Sequence, residues 1–221
     1  MMKKILQLTA DGSHTLFIPS MDEHYHSVNG AIQEAMHVFI EAGLHSIQKE
    51  FVRILEIGFG TGLNAFLTLR DVEENSRLKV EYHSIELYPL NMELISSLNY
   101  GKIIWPDRKD LFEKLHFAKW NMPEKISDNF TLCKIEGDSN VCDLPVDIDL
   151  IYFDAFAPDK QPEMWTQAIF DRLYSYTAPG GIIVTYCAKG EVRRMMQKAG
   201  YAMSRLPGPP GKRHMLYGKK I

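Results

Sequence analysis

Three cysteines in 221 residues, Cys133, Cys142 and Cys187, are odd in number and widely spaced, which argues against a disulfide framework. No CxxC pair is present, which argues against a zinc site, and the three read as reduced, packed thiols. No apolar run approaches the roughly twenty residues that cross a bilayer. The amino terminus opens on Met1-Met-Lys-Lys with a basic head like a secretion signal, yet its apolar stretch is broken by Gln7 and ends at Asp11. It is expected to be the first strand of a cytoplasmic protein. Positive charge is not in excess either, since 25 Lys and Arg against 28 Asp and Glu leave a net charge of −3. His24 and His26 flank Tyr25 and would share one strand face, but two imidazoles without a carboxylate or cysteine partner in sight make no metal site, and none is expected. With 45% hydrophobic and 24% charged residues, this length supports one substantial core, so one α/β domain with additions is expected.

Against these absences stands the segment Phe51-Val-Arg-Ile-Leu-Glu56-Ile57-Gly58-Phe59-Gly60-Thr61-Gly62. A run of β-formers feeds a carboxylate and then three glycines at alternate positions, and the helical pattern Leu63, Ala65, Phe66, Leu67, Leu69 follows at once. Such a loop lets backbone N–H groups approach a ligand over a helix N-terminus. A dinucleotide fingerprint needs a further glycine where Leu63 stands. The GxGxG spacing, with Glu56 two residues before the first glycine, resembles instead the loop of S-adenosyl-L-methionine (SAM) methyltransferases.

Strand and helix signals then alternate. Leu78 to Ile85 is β-rich and ends in Glu86, an acid placed to accept from ribose hydroxyls, or simply a solvated strand end. A helix is expected over Pro89 to Leu98, then a polar segment with Trp105 and Trp120. The strand Phe130 to Ile135 leads to Glu136-Gly137-Asp138, where Asp138 fits an adenine contact, although Gly-Asp turns also form for backbone reasons alone. The continuous apolar run Asp149 to Phe153 reads as a buried parallel strand. It delivers Asp154-Ala-Phe156-Ala-Pro158 to the carboxyl edge of the sheet, where ligands bind in open α/β folds. A carboxylate there can hold an amine while the ring packs beside it. Pro162 to Trp165 is expected to open the next helix, Ala178-Pro-Gly-Gly181 to break it, and Ile182 to Tyr186 to form the fifth strand. A helix from Glu191 to Ala199 and a hairpin, Tyr201 to Arg205 with His214 to Tyr217, close the chain around a Pro/Gly-rich loop that ends in Lys212 and Arg213.

Charge is unevenly spread. From Lys189 onward there are nine Lys or Arg and one acid, a balance of +8 that leaves −11 for the rest. Such asymmetry marks either a polyanion partner or a solvated face.

The runs Ile57-Gly-Phe-Gly-Thr-Gly-Leu-Asn64, Ile85-Glu-Leu87-Tyr-Pro89, Phe153-Asp-Ala-Phe-Ala-Pro158, Met164-Trp165, Val192-Arg193-Arg194 and Gly211-Lys-Arg-His-Met-Leu216, with Tyr25-His-Ser27 and Gly30-Ala-Ile-Gln-Glu34, together resemble the methyltransferase domain of the MnmC family over nearly the whole chain. The resemblance implies a class I, Rossmann-like doubly wound α/β methyltransferase domain over residues 51–221 with a cover segment over 1–50. It implies SAM-dependent methylation of the 5-aminomethyl nitrogen of a tRNA wobble uridine, often 2-thiolated. Bifunctional members add a flavin-dependent oxidase that makes the amine. No second dinucleotide motif occurs here, so the stand-alone form is expected, functionally linked to other enzymes that supply the aminomethyl group. By the same resemblance Glu56, Gly58, Gly60, Gly62, Asn64, Glu86, Leu87, Asp138, Asp154 and Phe156 would bind cofactor, with Asp154 also catalytic. Tyr25, Ser27, Phe156, Pro158, Trp165, Arg193, Lys212 and Arg213 would meet the substrate. In the family the position of His26 is more often aromatic. The rival readings are a methyltransferase for a small amine, which would need no basic carboxyl-terminal surface, and a non-catalytic SAM or nucleotide binder.

Overall fold

The computed structural model describes residues 2–75 and 77–221; Met1, at the head of the expected first strand, lies outside the described residues. A small antiparallel sheet comes first, from β1 (Ile5–Leu8), β2 (His14–Ile18) and β3 (Glu23–His24) in that order. Helix α1 (Ala31–Ala35) runs directly into a π-helical stretch, Met36–Glu41. Strand β4 (Phe51–Ile57) then enters the main sheet, followed by α2 (Leu63–Glu74) and β5 (Lys79–Glu86). Three short helices, α3 (Met92–Ser97), α4 (Tyr100–Ile104) and α5 (Lys109–Phe117), precede β6 (Pro123–Lys125) and β7 (Phe130–Glu136). The chain ends with β8 (Ile148–Phe153), α6 (Gln167–Tyr176), β9 (Thr177–Thr185), α7 (Gly190–Ala199), β10 (Ala202–Pro207) and β11 (His214–Lys219).

The main sheet has the order β10-β11-β9-β8-β4-β5-β7-β6. Its five central strands are parallel, and β6, β10 and β11 are antiparallel to their neighbours. Strand β4 lies at the centre because nearly all of it can be buried: Val52 and Ile54 face one apolar cluster with α2, and Leu55 and Ile57 face the other with α6 and α7. Leu16, Ala31, Val38 and Phe39 join the first cluster, so the amino-terminal segment is packed into the same core as β4 and α2. No described helix is long and apolar enough to cross a membrane.

Three expected boundaries move. The helix expected over Pro89 to Leu98 begins only at Met92, capped by Asn91, whose Oδ1 accepts from the Leu94 amide at 2.9 Å. It stops because Asn99 is drawn to the first sheet, accepting from the His14 amide and donating to the Gly12 carbonyl, and the segment beyond it folds as α4 and α5. Pro162–Met164 is a separate 3-10 turn, and α6 starts after Thr166, whose hydroxyl takes the Ile169 amide. The Pro-Gly-Gly sequence does not break the structure before the fifth strand but lies within β9, as an irregularity where the pairing steps from Ile148–Thr177 to Leu150–Ile182.

Candidate active site

The carboxyl ends of β4, β5, β7 and β8 converge beneath the amino-terminal segment on a cleft of about 870 Å³, part of it open to solvent. The loop after β4 contributes Gly58, Gly60 and, at the start of α2, Asn64; β5 contributes Glu86 and Leu87. Asp138 follows β7, Asp154 and Phe156 follow β8, and Tyr25 closes over them from the first segment. The sequence-expected residues of the cofactor loop and strand ends thus meet in one place. Gly60 has φ +48°, and an added Cβ would lie 3.2 Å from the Tyr25 ring, so a side chain here would strain the turn and press on that ring. Its amide donates to Glu86 Oε2 at 2.9 Å, while Glu86 Oε1 accepts from the Tyr88 amide at 2.8 Å. Glu86 is therefore a fixed carboxylate and not a loose strand end. Asp138 is held by an Asx turn, its Oδ1 accepting both the amide and side-chain nitrogen of Asn140 at 2.8 Å.

Asp154 occupies the floor. Its Oδ2 accepts from Asn64 Nδ2 at 2.8 Å. Burial raises its pKa to about 7; the Asn64 hydrogen bond opposes this, the charge of Glu34 adds to it, and that of Lys212 opposes it. The Phe156 ring stands beside it and meets Tyr25 edge to face, with centroids 5.1 Å apart. Burial, then the charge of Glu86, pushes the Tyr25 hydroxyl well above the phenol range, so it stays protonated.

Several expected contacts are displaced. Glu56 does not line the cleft: it is fully buried behind the loop, accepting from Ser84 Oγ at 2.6 Å and from Asn64 Nδ2 at 3.0 Å. Gly62 turns its α-carbon toward His116 instead, where a Cβ would come within 2.7 Å of Nε2. Ser27 makes a local turn, its hydroxyl accepting from the Asn29 amide at 3.2 Å and its own amide donating to Glu34 at 3.0 Å. Pro158 is half-buried away from the cleft, and Trp165 is a buried prop whose indole donates to the Phe156 carbonyl at 2.7 Å. Arg193 and Arg213 lie outside the cleft, half-buried and exposed respectively.

Lys212 is not a free cation. It is paired with Glu34 of α1 and sits 4.0 Å over the Tyr186 ring. Lys189 is paired with Asp159 at 3.1 Å, and Lys220 donates to the carbonyls of Tyr174 and Thr177 at the end of α6. Part of the carboxyl-terminal positive charge is thus paired within the chain itself. The loop carrying Lys212 also meets the first segment at two further points: His37 Nε2 bonds to the Pro207 carbonyl at 2.8 Å, and Asn29 lies directly against Gly211.

Sequence reasoning missed the inward role of His26 and missed Gln161 altogether. His24 and His26 do not form a pair: His24 stacks on Phe17 and bonds Gln7, whereas His26 turns inward to the cleft and bonds Thr61 Oγ1 through Nε2 at 2.7 Å. Burial lowers its pKa to about 4, so the ring is neutral. Gln161 accepts from the Phe156 amide at 3.2 Å, which with Trp165 fixes both backbone groups of Phe156. Position in the family motif pointed toward His26; no local signal marked Gln161. Among the described residues no three His, Cys, Asp or Glu side chains are placed to hold a metal ion.

A family model described as S-adenosyl-L-methionine-dependent methyltransferase matches residues 105–221, more than half of the chain. The chain belongs to that family: it is an enzyme, a methyltransferase whose cofactor is SAM. Within the family its likeness is to MnmC proteins. It is 31% identical over 227 residues to the tRNA 5-methylaminomethyl-2-thiouridine biosynthesis bifunctional protein MnmC of Leptospira interrogans, covering 96% of this chain and 34% of that protein. The protein of the same description from Leptospira borgpetersenii is 29% identical, over 90% of this chain and 32% of its own length. The chain therefore spans about a third of the length of these relatives. The crystal structure of MnmC2 from Aquifex aeolicus superposes with a TM-score of 0.82 at 26% identity, covering 99% of this chain and 70% of that one.

Proposed function

We propose that this enzyme methylates the amine of the 5-aminomethyl group on a tRNA wobble uridine, 5-aminomethyl-2-thiouridine, in the cytoplasm. The observation that carries the reading is Asp154, a carboxyl group fixed by Asn64 at the floor of a cleft walled by Phe156 and Tyr25, a pocket suited to a cationic amine on a flat ring. The Leptospira relatives, whose names place them in the biosynthesis of the methylated nucleoside, support it. The enzymes that make the aminomethyl group would act before this one.

The cleft fits its cofactor. Gly58 and Gly60 expose bare backbone to the methionine part, Glu86 can accept from ribose hydroxyls, and Asp138 beside Leu87 can take the adenine amine. Asn64 Oδ1 is buried without a hydrogen-bond partner among the described residues, an acceptor suited to an ammonium donor. When bound, SAM supplies a methyl group already activated on a sulfonium. What remains for the protein is alignment and a proton.

A primary alkylamine has a pKa of about 10.4 in water and arrives as an ammonium with no lone pair to attack. Asp154 captures that cation and orients it, and with a pKa near 7 it accepts the departing proton more readily than an ordinary aspartate would. Phe156, held at both backbone groups, and Tyr25 keep water from the reacting nitrogen. Arg193 and Arg213, which stand on or beside the carboxyl-terminal elements, would meet RNA phosphates, with Lys212 contributing only after release from Glu34. The amino-terminal segment acts as the cover.

The test is mass spectrometry of wobble nucleosides from a deletion strain. Accumulated 5-aminomethyl species, converted by purified enzyme and SAM in vitro, support the reading. Normal tRNA together with methylation of a free small amine replaces it with the small-molecule alternative, and SAM binding with no turnover on the aminomethyl tRNA overturns the substrate assignment.

A further inference from the structure

Glu56 is a carboxylate in the middle of the protein, on the central strand, fully excluded from solvent and outside the cleft. Ordinary burial of such a group is costly and calls for a use. One nitrogen, Asn64 Nδ2, donates to Glu56 Oε1 at 3.0 Å and to Asp154 Oδ2 at 2.8 Å, so the two carboxylates lie within about 6 Å of one another. Each proton of one amide is thereby assigned to one acid. Ser84 Oγ fixes the far oxygen of Glu56 at 2.6 Å, and Thr68 fixes the backbone of Asn64 by donating to its carbonyl at 2.7 Å. The rotation of the Asn64 amide is set from the Glu56 side, and its free hydrogen then points at Asp154.

We propose that Glu56 is a positioning residue: through the shared amide of Asn64 it aims and holds the Asp154 carboxylate for the reacting amine, and it is not a ligand of the methionine part of SAM. This rests on the reading of Asp154 as the group that captures the amine. Electrostatics agrees with the geometry. Burial, with the charge of Asp154 adding, raises Glu56 to about 8, so the inner acid resists ionisation near neutral pH. The other titratable groups that face Glu56 are the hydroxyls of Tyr82 on β5 and Tyr152 on β8, both raised by burial and therefore neutral. An inner acid that stays neutral steers the outer one without repelling it.

The experiment compares Glu56→Ala and Glu56→Gln with wild type by calorimetric SAM binding, turnover at saturating SAM on tRNA bearing the aminomethyl group, and a 13C carboxyl NMR titration of Asp154, assigned with Asp154→Asn. Glu56→Ala frees the Asn64 amide. Turnover should fall at least tenfold and the Asp154 midpoint should rise by half a pH unit or more, because its hydrogen bond to the ionised form is lost, whereas in Glu56→Gln, which keeps the Asn64 amide held, the SAM Kd should stay within threefold of wild type. Glu56→Gln can accept from Asn64 as the native acid does, so it should recover most of the turnover and return the midpoint toward wild type. A tenfold rise of the SAM Kd in both variants with unchanged saturated turnover would make Glu56 a cofactor ligand and overturn the proposal. An Asp154 midpoint that stays at the wild-type value in Glu56→Ala would overturn it as well. Should Glu56→Ala not fold, Ser84→Ala releases the far oxygen of Glu56 while leaving the Asn64–Asp154 pair in place; a shifted Asp154 midpoint there supports the same linkage, and an unmoved one overturns it. The NMR arm needs no substrate, so wild-type enzyme inert on the tRNA would defeat the substrate assignment while leaving this linkage decided on its own.

Discussion

Replacing Glu56 by glutamine should make the protein more stable at alkaline pH, and the size of the effect follows from where the carboxyl sits. In the unfolded chain this group ionises with its ordinary value of 4.5, whereas burial in the fold raises it to about 8. The folded state therefore binds the extra proton between these limits, and stability is lost as pH rises through them. Between pH 5.5 and 8.0 the difference in proton binding integrates to about 3 kcal/mol for this one group. Glutamine fills the same volume, can accept from Asn64, and carries no titration, so the variant should lack that loss. Urea unfolding at pH 5.5 and 8.0 measures it directly: wild-type stability should fall with pH by about 3 kcal/mol more than that of Glu56→Gln. Other titrating groups are common to both chains and cancel, apart from Asp154, which couples to Glu56 in the same direction. Parallel pH profiles for the two proteins would refute the reasoning, because they would mean that Glu56 is already ionised within the fold.

Asp154→Asn should lower turnover by about 10² to 10⁴ while the fold persists. In wild type the rate at subsaturating substrate should rise with pH through about 7 as this carboxylate ionises, and the variant should lose that inflection; a stopped assay across pH 6 to 8.5 decides it. Gly60→Val should weaken SAM binding at least a hundredfold, about 2.7 kcal/mol, since its side chain would meet the Tyr25 ring and fill the backbone approach, as calorimetry will read. Alanine at Arg193 or Arg213 should weaken tRNA binding and reduce the log–log salt slope by about one each, without changing SAM affinity. Lys220→Ala should leave that slope alone and cost about 1 kcal/mol of stability, because its ammonium caps the end of α6 and makes no use of its exposure.

Order along the chain was readable where the information is local. The glycine loop, the acids at the ends of β5 and β7, and the Asp154 motif after β8 each announce themselves within a few residues, and the alternation of strand and helix then fixes where they meet. Glu56 was misplaced because its distance from Gly58 in sequence says nothing of its direction. In a central strand covered on both faces, it points beneath α2 to Asn64 and away from the open edge. The basic tail was legible only in part for a related reason. A count of charges cannot show that Lys212 reaches Glu34, 178 residues away, or that Lys220 turns back onto α6. The contact of His26 with Thr61 and the whole role of Gln161 escaped notice since these partners, Thr61 and the Phe156 amide, are supplied by tertiary placement, and no motif includes Gln161.

The contacts between the first segment and the loop before β11 bear on how this enzyme comes into being. His37 and Pro207 are separated by 170 residues, and Glu34 and Lys212 by 178, so the roof of the cleft is among the longest loops that the chain has to close. A ribosome adding about 5 to 20 residues per second needs on the order of ten to thirty-five seconds to make the intervening stretch. Throughout that interval α1 and the helical turn after it, with Val38 and Phe39, have only part of their eventual surroundings. Completion of the site is a late event in biogenesis, and an emerging chain that already displays a finished glycine loop still lacks the latch that holds its cover closed.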